Sequence, residues 1–243
     1  MAKKIREGVI DCACVIHSTG YDWTYVDRLY NMLKRALLTD IRLHVYTEAD
    51  RAVPGPYIKH ELEEWTGVSG PRRSWWYKMQ LFNPEHFAGD LLYFDLDTII
   101  LRPITWITQL PTEKFWTIKD FKYLQSDLIS EINSSVMWWN TEKFAYVWEK
   151  FKQQEIKTIV RTYKGDQDFL HATIDYNNRR YFDITQLESY RWQVLDGGYD
   201  FEHRQYKHPG KGPFISGGTS IVVFHGHPKP HEIKHPEIVK LWV

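Results

Sequence analysis

Cysteine is almost missing from this chain: Cys12 and Cys14 are the only two among 243 residues. Both fall on one face of a single expected strand, where near neighbours make poor disulfide partners, so a fold stapled by disulfides is excluded. No second pair answers them at ligand spacing, which argues against a cysteine zinc site, and they read as core. Charge of one sign is missing too. Lys and Arg number 31 against 31 Asp and Glu, a formal net charge of zero, so no long-range basic field draws in nucleic acid. Long apolar runs are absent: Lys3, Lys4 and Arg6 are followed by Glu7 and a short strand rather than a secretory core, and no stretch reads as a membrane span. The cytoplasm is the expected compartment. Repeats, low-complexity tracts and a visible linker are also lacking, which leaves one domain over 1–243 as the expectation.

What the chain has in excess is aromatic side chains, 16% of residues with 11 Trp and 15 Tyr. Such rings stack on sugars and bases, but Trp23, Trp65, Trp138, Trp139 and Trp148 fall in or beside expected elements, where burial is the usual fate of a large apolar ring. They are assigned to the core.

Val9 to Ile16 reads as a buried strand, with His17-Ser18-Thr19-Gly20 as the turn leaving its carboxyl end. Val26, Leu29, Tyr30 and Leu33 then recur at helical spacing, and Ile41 to Thr47 alternates as a second strand. This is a β-α-β unit, the building block of a parallel sheet whose ligands gather beyond the strand ends. Helices are expected at Ile58–Trp65, at Trp75–Phe82 before Pro84, at Thr141–Phe151 with Thr141 as N-cap, and at Asp166–Ile174. Asn133 to Asn140 reads as a strand, 196–218 as a long irregular loop, and Ser220 to Phe224 as the strand that closes the sheet.

The chemistry is expected within Leu91 to Leu101, where Asp95 and Asp97 interrupt an apolar run. On a period-two strand the two carboxylates share a face, and they would repel unless a cation lay between them. Oxygen ligation suits Mn²⁺ or Mg²⁺, which bind through one or two carboxylates plus the phosphates of a substrate. His227, His231 and His235 do not make a zinc site, because Pro228, Pro230 and Pro236 break the helix that would align them.

Taken in order, these segments resemble the GT-A glycosyltransferases, especially the retaining family 8 group. The matching parts are the β-α-β opening, Trp76-Tyr77-Lys78, the Tyr93 to Leu101 run, Asn133-Ser134-Ser135, Asp166-Gln167-Asp168, and His225-Gly226-His227-Pro228-Lys229-Pro230. The resemblance implies an α/β fold: one GT-A domain, a Rossmann-like nucleotide-diphospho-sugar transferase with a mixed, mostly parallel sheet flanked by helices. It also implies transfer of a sugar from a nucleotide donor, a UDP-sugar above all, to an acceptor hydroxyl with retention. By the same resemblance Asp95, Asp97 and His225 would hold Mn²⁺ or Mg²⁺, and Lys78, Asp95, Asn133, Gly226 and Lys229 would meet the donor. Asp166 and Gln167 would act at the reacting sugar. The acceptor, whether glycan, lipid-linked or protein, is left open. Two departures stand out: the group carries Asn-x-Gly where this chain has Asn133-Ser134-Ser135, and here His225 adjoins Gly226 directly. A sugar nucleotidyltransferase and a non-catalytic carbohydrate-binding protein are the alternatives. The first is disfavoured because His17 to Gly20 is not a basic, glycine-rich phosphate loop.

Overall fold

A computed structural model describes residues 8–68, 73–121, 132–195, 199–200, 205–206 and 213–243. Strand β1 (Ile10–Val15) carries Cys12 and Cys14 toward one face of the sheet and Ala13 toward the other. Both thiols are free and fully buried, and burial pushes their pKa values up. Helix α1 (Trp23–Leu37) starts where the Asp22 side chain accepts the Thr24 N–H at 3.0 Å, and it buries Val26, Leu29, Leu33 and Leu37. Strand β2 (Ile41–Thr47) returns parallel to β1, completing the expected unit.

Strand β3 (Ile58–Glu61) corrects the first expectation. It pairs in parallel with β2 at the sheet edge, where the sequence reads as a helix. Ile58-Lys59-His60-Glu61 is too polar to look like a strand, yet charged side chains suit an edge exposed to water. Residues Ser74–Phe82 do wind, as a 3₁₀-helix, with Asn83 extended ahead of Pro84. Strand β4 (Asp90–Phe94) lies on the other side of β1, and β5 (Thr98–Ile100) leaves that sheet. Next come β6 (Phe115–Lys119) and β7 (Ile132–Asn140). The following helix, α2 (Ala145–Lys152), starts later than expected. Thr141 is not its cap, because its hydroxyl donates to the Phe87 carbonyl at 2.8 Å and accepts the Gly89 N–H at 3.0 Å.

Helices α3 (Ile156–Thr162) and α4 (Asp166–Thr173) lead to β8 (Arg179–Tyr181) and β9 (Leu187–Ser189). Of the loop expected over 196–218, residues 196–198, 201–204 and 207–212 lie outside the described residues, while β10 (Tyr199–Asp200) and β11 (Gln205–Tyr206) pair antiparallel. Strand β12 (Ile221–Val223) and helix α5 (Pro236–Leu241) end the chain.

The main sheet runs β3-β2-β1-β4-β7-β6-β8, parallel except where β7 pairs antiparallel with β4 and β6. Strand β12 does not close it, contrary to expectation; it forms a second sheet, β5-β12-β9. One face of the main sheet packs on α1 and this small sheet through Leu29, Leu33, Leu92, Phe94 and Val222. The other packs on the 3₁₀-helix, α2 and α4 through Trp76, Phe82, Trp139, Phe151 and Phe169. The abundant rings are therefore mostly core, as expected, and among the described residues no helix is long and apolar enough to cross a membrane.

A relay of histidines lies along the β2–β3 edge. Asp11 contacts His44 Nε2 at 2.9 Å, His44 Nδ1 meets His60 Nε2 at 2.8 Å, and His60 stacks on Tyr46 with centroids 4.5 Å apart. Burial, helped by the charges of His44 and His86, lowers the His60 pKa to about 4. A histidine depressed in the fold stays neutral there while the unfolded chain takes up a proton. Its contribution is therefore complete above the ordinary histidine range and is lost as pH falls from about 6.5 to about 4. Because His60 is partly exposed, solvent screening reduces the loss to about 1 kcal/mol. Urea unfolding across that range should show the decline in the wild-type protein and a shallower one in His60→Phe. Equal slopes would place the titration elsewhere.

Candidate active site

At the carboxyl ends of β1 and β4 lies a cleft of about 720 Å³. Its floor is where the chain passes from one sheet to the other. Strand β4 ends at Phe94, the Asp95 N–H donates to the Ser135 carbonyl at 2.8 Å, and the Thr98 N–H closes a turn on the Asp95 carbonyl at 3.1 Å before β5 begins. The expectation of one continuous strand through Asp95 and Asp97 is therefore corrected. A turn, not strand alternation, brings both residues to the cleft.

Each carboxylate is met by a lysine. Lys78 Nζ lies 2.8 Å from Asp95 and 3.6 Å from Asp166, and it donates to Ser134 Oγ at 3.1 Å. Lys229 Nζ lies 2.5 Å from Asp97 and 2.7 Å from the Tyr21 hydroxyl, which itself donates to Asp97 at 2.8 Å. The Ser134 hydroxyl donates to Asp166 at 2.5 Å and the Tyr93 hydroxyl to Asp95 at 2.6 Å. Lys78 is buried in the 3₁₀-helix, whereas Lys229 reaches in from the loop after β12. That loop is held by the Glu232 carboxylate, which accepts the Lys229 N–H, and by a hydrogen bond between Tyr25 and His231.

Burial pulls the Asp95 pKa up, but the Lys78 charge, with hydrogen bonds from Lys78, Tyr93 and Ser135, carries it below the ordinary range. Asp97 goes the other way: burial raises it, Lys229 offsets part of the rise, and repulsion from Asp95 adds to it. Burial also raises Asp166, against the pull of Lys78 and Ser134. Desolvation disfavours the Lys78 ammonium, but Asp166 and Asp95 more than compensate, so its pKa is raised. With every group ionised, three carboxylates face two ammoniums, and the cluster keeps one negative charge. The site is pre-formed, its carboxylates and ammoniums already in contact.

The other expected site residues meet in the same cleft. Asn133, buried on β7, lines it, and its Oδ1 accepts the Ser135 N–H at 3.0 Å. Gln167 lines it from the first turn of α4. His225 lies just past β12, where the Phe224 N–H donates to the Asp97 carbonyl at 3.2 Å, and its ring meets Phe121 edge-on at 5.4 Å. Gly226 turns the chain toward Lys229 at a φ of 65°, where a side chain is strained. His225 is not gathered with Asp95 and Asp97 into a ligand set: among the described residues no group of three or more His, Cys, Asp or Glu is placed to hold a metal ion. Tyr21, Tyr93 and Trp75 were missed as site residues. Tyr21 had one signal, its place in the turn beyond a parallel strand's carboxyl end.

No family model matches the sequence, and no curated protein matches it. Solved structures do. A galactosyltransferase, LgtC, in complex with donor and acceptor sugar analogs superposes with a TM-score of 0.63 at 14% identity, over 96% of this chain and 95% of that one. The fold is GT-A. The glycosyltransferase GlyE from Streptococcus pneumoniae TIGR4 matches with a TM-score of 0.65 at 13% identity, over 96% of this chain and 60% of that one. The bifunctional glycosyltransferase WbbM matches with a TM-score of 0.59 at 10% identity, over 99% of this chain but 50% of that one. The expected GT-A architecture is thus present over nearly the whole length, with the cleft at the carboxyl ends of its parallel strands.

Proposed function

We propose that this protein transfers a sugar from a nucleotide-sugar donor, foremost a UDP-sugar, to an acceptor hydroxyl. The observation that carries the reading is the pairing of Asp95 and Asp97 with Lys78 and Lys229 in one cleft of a GT-A fold. Breaking the bond from the anomeric carbon to phosphate builds negative charge on the diphosphate, and cations in fixed positions stabilise that charge.

The excess negative charge and the oxygen donors of Asp95 and Asp97 fit a hard divalent cation, Mn²⁺ or Mg²⁺, held by two carboxylates and by donor phosphates. His225 lines the same cleft without being grouped with the two carboxylates, so the cation would rest on Asp95, Asp97 and the donor phosphates. Such a cation, when bound, supplies charge neutralisation at the diphosphate. Lys229 is the chain's own counter-charge. Its ammonium, now on Asp97, is a compact donor within reach of phosphate oxygens, and Gly226 lets the backbone turn close beside it. Lys78 holds Asp95 and Asp166 in place, Asn133 and Asp166 face the donor sugar, and Gln167 lies at the reacting carbon.

We infer retention. The acceptor oxygen bonds to the anomeric carbon on the side that the phosphate oxygen leaves, and the acceptor proton passes to that oxygen. UDP release from a panel of nucleotide sugars, followed by NMR of the product, tests the reading. Release with at least one α-linked donor and an α-linked product are expected. A β linkage would overturn retention, and UDP binding with no release from any donor would favour a carbohydrate-binding protein without catalysis.

Lys229→Ala should weaken donor binding and slow transfer, each about tenfold or more, with Lys229→Arg recovering little because a planar fork does not replace a point charge in this loop. Steady-state kinetics check it. An unchanged rate would return Lys229 to the role of a counter-ion for Asp97.

A further inference from the structure

We infer that Trp75 is the floor of an acceptor subsite that takes a pyranose ring; the inference rests on the glycosyl-transfer reading and names the acceptor's chemistry. Trp75 is 38% exposed, while its neighbours Trp76 and Tyr77 are buried at 1% and 0%. A large ring in the wall of a polar cleft, not drawn into the core a residue away, is available to a ligand.

Its position says which part of the ligand. In a 3₁₀-helix residues i and i+3 eclipse, so Trp75, Lys78 and Leu81 share one line of the helix, the first two lining the cleft and Leu81 in the core. One turn rises roughly 6 Å, about the length of a pyranose ring. Lys78 sits at the reacting centre, between Asp95 and Asp166. Trp75 is thus one sugar farther out, on the Asp166 side. The diphosphate cations lie the other way, since Lys229 is bound to Asp97 and Tyr21.

The surroundings suit a sugar. A methyl group built on Gly165, next to Asp166, would lie 3.4 Å from the indole Nε1, so the ring edge rests on bare backbone. Lys164 and Asp168 line the cleft beside it and are tied together, the Lys164 N–H donating to Asp168 Oδ2 at 3.1 Å. An apolar floor with a polar rim meets a pyranose ring twice over, its C–H face on the indole and its hydroxyl edge on the rim.

Saturation-transfer NMR of methyl β-galactoside, methyl α-glucoside and lactose against the full chain, with and without UDP, tests this independently of turnover. At least one glycoside should receive saturation at its ring C–H protons. Trp75→Ala should bind it about tenfold more weakly at an unchanged melting temperature, and Trp75→Tyr should keep most of the binding. Unaltered glycoside binding by Trp75→Ala would overturn the proposal. So would glycoside binding kept while UDP binding falls, which would make the indole a base platform, or a wild-type protein that binds UDP but none of the glycosides. Failure of the wild-type protein to bind UDP would instead strike the nucleotide-sugar reading, and the arm without UDP would still decide the subsite.

Discussion

Asp97→Asn is expected to lose sugar transfer by about a thousandfold or more and to lose most metal-dependent UDP binding. The substitution preserves shape, and the Tyr21 hydroxyl can still donate to the side-chain oxygen that replaces Asp97 Oδ2. What disappears is the charge that holds Lys229 and offers an oxygen anion to a cation. Asp95→Asn should weaken both properties less, because Asp166 still anchors Lys78. Transfer rates and UDP titrations with Mn²⁺ and with chelator check this. Full activity of Asp97→Asn, or equal activity of the wild-type protein in excess chelator, would remove the metal from the account.

The second large effect is on stability. Lys78→Met should destabilise the protein by about 3–5 kcal/mol, since removing one partner of a buried ionic cluster strands the others. Asp95 and Asp166 would be left facing each other in a cleft wall, and Ser134 would lose one of its two partners. Adding Asp166→Asn to Lys78→Met should recover part of the loss, because one stranded charge goes. Urea unfolding measures all three proteins. A cost under about 1 kcal/mol for Lys78→Met would mean that Lys78 is not the ion that organises the cleft.

The β-α-β opening was legible because apolar period and turn chemistry agree there, from Val9 through Thr47. Asp95 and Asp97 were legible as a pair, but the reason they converge was not. A continuous apolar run does not announce that the chain changes sheets between Phe94 and Thr98; that switch is decided by β5 pairing with β12, far along the sequence. The 58–65 segment misled for a related reason. Its polar residues score as a helix locally, and only the parallel edge of β2 makes Ile58–Glu61 a strand. Lys78 and Lys229 were identified through resemblance, yet their partners required the fold, since only the pairing of β12 with β5 brings the loop carrying Lys229 beside Asp97. Trp75 was hidden among buried rings. Only the three-residue turn of its helix separates it from Trp76 and Tyr77.

Calorimetric titration of UDP into the wild-type protein, with Mn²⁺ and then with chelator, tests the central claim most directly. A nucleotide-diphosphate site built on Asp95, Asp97 and Lys229 should bind UDP tightly with Mn²⁺ and at least tenfold more weakly without it. No binding in either condition, or equal binding in both, would contradict it.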